Sequence, residues 1–112
     1  MGARAPLSRE IACAAQAIEA LAAGRSLQSA VEAALDDGLE PASRAAIRDI
    51  AYSTCRQLGL VRELARLVNG RPPPPRLAAI QWVALTQLVE PLRAEGIIVD
   101  QAVATARLEP GG

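Results

Sequence analysis

The sequence predicts an all-α fold, a compact bundle of five to seven helices. Three observations carry that prediction. Apolar residues recur at the spacing of a helix with one buried face through nearly every segment. Prolines and glycines cluster between those segments rather than inside them. Hydrophobic residues make up 51% of the 112 positions, yet there is no Phe, one Trp (Trp82) and one Tyr (Tyr52). The core is therefore built from Ala, Leu, Ile and Val, and alanine both favours helix and lets helix backbones approach closely. A chain of this length fits one domain and buries roughly two-thirds of the surface it exposes when unfolded.

The first helix is expected from Ser8, its cap, to Ala23, with Arg9 and Glu10 opening it and Gly24 closing it. Ile11, Ala14, Ala15, Ile18, Leu21 and Ala22 form its apolar stripe, and Cys13, Ala17 and Ala20 a second, small-residue face. Ser26 caps a second helix, where Leu27, Ala30, Val31, Ala34 and Leu35 repeat before Asp36, Asp37 and Gly38 end it. A third begins near Pro41 with Ser43 as cap, buries Ile47, Ile50, Ala51, Thr54 and Leu58, and stops at Gly59. The fourth, Leu60 to Val68, buries Val61, Leu64, Ala65 and Val68, and Asn69-Gly70 ends it.

Between Arg71 and Arg76 lie four prolines, a stiff extended connector. The fifth helix, Arg76 to Val89, is apolar on nearly all sides, which predicts a central and buried position, and Glu90-Pro91 ends it. After a loop through Gly96, Asp100 is the expected cap of a short last helix holding Val103, Ala106 and Arg107. The domain organisation is thus a flexible arm over 1–7, a helical domain over 8–108, and 109–112 as a frayed end or a cut boundary. The chain stops soon after the sixth helix, so a further segment is expected to follow.

Net charge is zero, which argues against strong general nucleic-acid binding. All twelve basic residues are arginine, however, and arginine makes planar, bidentate contacts to phosphate and stacks on bases. A GC-rich codon composition produces the same pattern and is the weightier of the two readings. Two cysteines, Cys13 and Cys55, and no histidine leave little basis for a disulfide framework or a metal site. No signal peptide is visible, and the longest uncharged run, Leu77 to Val89, is too short to span a bilayer; a cytoplasmic protein without membrane contact is expected.

No glycine-rich phosphate loop or dinucleotide fingerprint is present, and Ser8, Ser26 and Ser43 read as caps rather than nucleophiles. No pair of carboxylates is placed for acid–base work, so no catalytic residue is assigned, and no metal ligand. Three features remain as candidates for function. Arg4 and Arg9 sit on a mobile arm leading into a helix N-terminus, which favours phosphate; an ordinary solvated tail is the alternative. Arg44, Arg48, Tyr52 and Arg56 follow at four-residue spacing and line one flank of the third helix, a set suited to phosphate contact and base stacking in RNA. The alternative there is a surface stripe bridged to Asp49 and neighbouring acids. Arg71 and Arg76 bracket the prolines, where a solvated loop is the stronger reading.

Several stretches together resemble a known family. Ser8 to Ile18 is similar to an Ala-Arg-x-x-Ala-x-x-Ala-Leu opening helix, and Gly24-Arg-Ser-Leu-Gln-Ser-Ala-Val31 to a glycine-bracketed helix entry. Asp49-Ile-Ala-Tyr52-Ser-Thr-Cys-Arg56-Gln-Leu-Gly59 resembles Glu-Leu-Cys-Tyr-Gly-Val-Leu-Arg, Ala84 to Leu88 resembles Gly-Leu-Tyr-Gln-Leu, and Val99 to Val103 resembles Val-Asn-Glu-Ala-Val. In this order and spacing they resemble the NusB-type N-terminal domain of bacterial 16S ribosomal RNA cytosine-C5 methyltransferases, the Sun/Fmu group.

The resemblance implies a NusB-like helical domain that helps bind ribosomal RNA and is not catalytic by itself. It implies that S-adenosylmethionine is used only by a C-terminal catalytic domain, outside this chain, and that this domain is a partner in the same polypeptide. The family's reactive cysteines lie in that domain, so Thr54-Cys55 is not one of its motifs. The arm residues Arg4 and Arg9 and the flank Arg44, Arg48, Tyr52 and Arg56 become the expected RNA-binding set. The second reading is a NusB-like protein-interaction scaffold, a homodimer or an antitermination-type factor, without its own RNA contact.

Overall fold

Five helices account for most of the chain: α1 (Leu7–Ala22), α2 (Leu27–Ala34), α3 (Pro41–Arg56), α4 (Leu58–Asn69) and α5 (Pro75–Arg93). The computed structural model describes residues 5–93, among which no strand occurs. The chain is an all-α bundle, as its periodicity predicts. Arg4, the loop through Gly96 and the expected last helix after Asp100 lie outside the described residues.

The centre of the bundle is α1, not the fifth helix. α1 packs against α2, α3 and α5. Its Ala14, Ala15, Ala17 and Ile18 are wholly buried, and so is Glu10 in its first turn. Three alanines on one helix present almost no side-chain bulk, so three neighbours can close on it at once. Ser8 does not cap α1. The helix starts one residue earlier, after Pro6, whose carbonyl accepts the Arg9 and Glu10 N–H groups at 3.0 and 3.1 Å. At the other end Gly24, at φ +109°, reverses the chain. The Gly24 N–H donates to the Leu21 carbonyl and the Arg25 N–H to the Ala20 carbonyl, closing a Schellman motif. Ala22, assigned to the apolar stripe, is exposed at this end.

Ser26 caps α2, its hydroxyl accepting the Ser29 N–H at 3.2 Å. Ser43, expected to cap α3, is instead inside the helix and fully buried. Pro41 starts α3 with φ already suited to a helix. The Ser43 hydroxyl accepts the Ala5 N–H at 2.7 Å, tying the segment before α1 to α3.

α3 and α4 part at Gln57, not at Gly59, which lies inside α4. Gln57 serves as the end of one helix and the start of the next, and its amide donates to Glu90 of α5 at 2.7 Å. Leu58 therefore opens α4 and packs against both apolar clusters of the core. Gly70, at φ +72°, ends α4. Val68 is 75% exposed rather than buried.

α5 starts on the last of the four prolines and continues through Pro91 to Arg93, past the expected stop at Glu90-Pro91. Pro91 lacks an N–H and so forfeits one backbone bond within α5. One face of α5 is buried through Ala78, Ala79, Val83, Thr86 and Val89, while Leu77 and Leu88 are exposed and Ile80 is half-buried. The all-round apolar character of α5 thus does not make it the central helix: α1, α3 and α4 cover only one side of it. No helix among the described residues is long and apolar enough to cross a membrane.

Candidate nucleic-acid interface

Four-residue spacing along α3 sets Arg44, Arg48, Tyr52 and Arg56 in a stripe beside the buried face of Ile47, Ile50, Ala51 and Thr54. At 1.5 Å per residue the stripe is about 18 Å long. Tyr52, near its middle, is 42% exposed. The structure brings Arg9 of α1 to one end of it. Arg9 donates to the Asp36 carboxylate at 3.1 Å and Arg44 to the Asp36 backbone carbonyl at 3.0 Å, so one residue of the α2–α3 loop gathers both guanidinium groups. Arg48 pairs with Glu32 of α2 at 3.3 Å. Arg56, at the far end, pairs with Glu90 of α5 at 3.1 Å and also donates to Ser53 at 2.9 Å.

The acids of this stripe are thus Glu32, Asp36 and Glu90, each from another element. Asp49, expected to bridge it, is exposed and makes none of these bonds. The three ion pairs are all substantially exposed, and pairs of that kind contribute about 0–1 kcal/mol. Opening any one of these pairs therefore costs little. Arg4, the remaining member of the expected set, lies outside the described residues. Thr54 and Cys55 sit within α3. The Thr54 hydroxyl is spent on the Ile50 carbonyl at 2.8 Å, and Cys55 is a half-buried free thiol.

Of the two arginines around the prolines, Arg76 reaches back to Glu19 of α1 at 2.7 Å and helps dock α5. Arg71 is exposed and lines an open cleft of about 640 Å³ between α4, the proline connector and α5. Arg62, Arg66 and Trp82 line it too. The Arg62 guanidinium lies 5.0 Å from the centre of the Trp82 ring. Arg66 is held by two bonds to Glu63, at 3.1 and 2.9 Å, which favour its charged form and raise its pKa. Arg62 and Arg66 are not among the residues the sequence singles out, and Trp82 lies on the fifth helix, expected to be buried. The four-residue step from Arg62 to Arg66 was the available signal; their meeting with Trp82 depends on how α4 packs on α5.

Among the described residues no three His, Cys, Asp or Glu side chains gather where they would hold a metal ion. Comparison with protein-family models, curated proteins and solved structures gives no match.

Proposed function

We propose that the chain is a non-catalytic RNA-binding module, the NusB-like accessory domain of a cytoplasmic ribosomal RNA cytosine-C5 methyltransferase. The observation that carries the RNA reading is the meeting of Arg9 with Arg44 at Asp36, which joins the start of α1 to the Arg48, Tyr52 and Arg56 stripe. The resulting surface has spaced guanidinium groups for phosphates and one exposed aromatic for a base, the combination used on single-stranded RNA. The assignment to the methyltransferase group rests on the order of the five sequence stretches. On that assignment S-adenosylmethionine and the reactive cysteines belong to a catalytic domain of the same polypeptide.

The experiment is an NMR titration of the chain with a short single-stranded ribosomal RNA fragment at low salt. Shifts on the first turn of α1 and along α3 are expected, diminishing as salt rises because each phosphate contact releases a counterion. Arg48→Glu is expected to weaken binding while leaving the spectrum folded. Shifts that avoid both α1 and α3 refute this surface. A second reading, a protein-interaction scaffold, is favoured by Leu77 and Leu88, which stand exposed on α5 at 56% and 67%. Concentration-dependent association of the chain, abolished by Leu88→Ser, would select it.

A further inference from the structure

The cleft between α4 and α5 differs from the α3 stripe in one respect that matters for a ligand. Each stripe arginine donates to an acid or a carbonyl of a neighbouring element, whereas among the described residues no carboxylate pairs with Arg62 or Arg71. Among the described residues three guanidinium groups and one carboxylate, Glu63, line the cleft, an excess of positive charge. The volume lies within the range of pockets that enclose a small organic ligand.

The shape favours a flat one. Trp82 packs against both apolar clusters of the core, and the guanidinium of Arg62 lies over its ring. A guanidinium stacked on an indole keeps a second planar face for another ring. Pro72 and Pro73, stiff and apolar, also line the cleft. The cleft is also held in shape: the side chains of Asn69 and Gln81 exchange two bonds, at 2.6 and 3.1 Å, tying the end of α4 to α5. Just beyond, Gly70 turns the chain at φ +72°, and the exposed Arg71 that follows lines the cleft.

We propose that this cleft binds one nucleotide of single-stranded RNA, its base stacked on the Arg62–Trp82 pair and its phosphate held by Arg71. The inference rests on the reading of the chain as an RNA-binding module and adds a second contact on a different face. A nucleotide is preferred to an acidic peptide because the cleft offers a planar stacking surface beside its unpaired cations, and a carboxylate side chain uses only the cations.

The test follows the emission of Trp82, the chain's only tryptophan, which lines the cleft. The full chain is titrated at low salt with a mixed-sequence RNA tetranucleotide while Trp82 emission is followed. Saturable quenching is expected, weakened roughly 5- to 150-fold by Arg62→Ala, the range that loss of one stacked base spans. Arg71→Glu is expected to weaken it as well, and Arg25→Ala, at an exposed arginine outside both surfaces, to leave it unchanged. Both cleft arginines are exposed, so a far-UV circular dichroism spectrum identical to the parent's is expected for each variant. RNA binding that leaves Trp82 emission unchanged and is lost in Arg48→Glu overturns the cleft while the RNA reading stands. Absence of RNA binding at every salt concentration overturns both. Quenching by an oligoglutamate peptide but not by RNA replaces the nucleotide with an acidic peptide and overturns the proposal.

Discussion

Ile18→Ala and Leu88→Ala form a matched pair that tests which helix is central. Both residues are aliphatic and of equal volume, but Ile18 of α1 is wholly buried and Leu88 of α5 is 67% exposed. Truncating Ile18 removes side-chain carbons worth about 0.8 kcal/mol each in transfer alone. Ile18 sits on the helix that meets α2, α3 and α5, so no single neighbour can move in to fill the space. The cavity term then adds to the transfer term, and the expected loss is about 3–4 kcal/mol, within the range for Ile→Ala in cores. A loss of that size lowers Tm by roughly 12–25 °C in a domain of this scale. Leu88→Ala is expected to cost no more than about 0.5 kcal/mol, as for an exposed position. Urea unfolding followed by circular dichroism at 222 nm measures both. Equal losses for the two variants would refute the reasoning, because they would require the outer face of α5 to be as covered as the heart of α1.

Two smaller predictions concern backbone features. Gly24→Ala places a Cβ at φ +109° in the turn after α1, with no neighbouring atom in the way, so the expected loss of about 1–2 kcal/mol comes from the backbone conformation alone; urea unfolding of that variant beside Gly38→Ala, where φ is not positive, separates the two. Ser43→Ala leaves the Ala5 N–H without its 2.7 Å acceptor and is expected to cost about 1–2 kcal/mol, with faster amide exchange at Ala5 as the specific signature.

Local features of this protein were legible before its fold. The Ser26 cap, the glycine ends at Gly24 and Gly70, and the buried registers of α1 and α3 follow from interactions within a few residues of each other, and linear spacing encodes those directly. The α3 stripe was legible for the same reason: four-residue spacing puts its members on one flank whatever surrounds it.

Tertiary structure decided what covers each surface. Composition marks Leu88 and Val68 as apolar, but their exposure depends on which helices lie against α5 and α4, a matter of contacts between distant segments. The helix break falls at Gln57, whose amide is bonded to Glu90 far along the chain, while glycine at 59 carries only a weak local penalty that packing overrides. Partner choice among the charges has the same origin. Asp49 is the nearest acid in sequence to the arginine stripe, yet the partners are Glu32, Asp36 and Glu90, because Coulomb attraction depends on distance in space and not along the chain. The α4–α5 cleft is the extreme case: Arg62 and Trp82 come from different helices, and only the packing of one helix on the other sets a guanidinium over the indole ring.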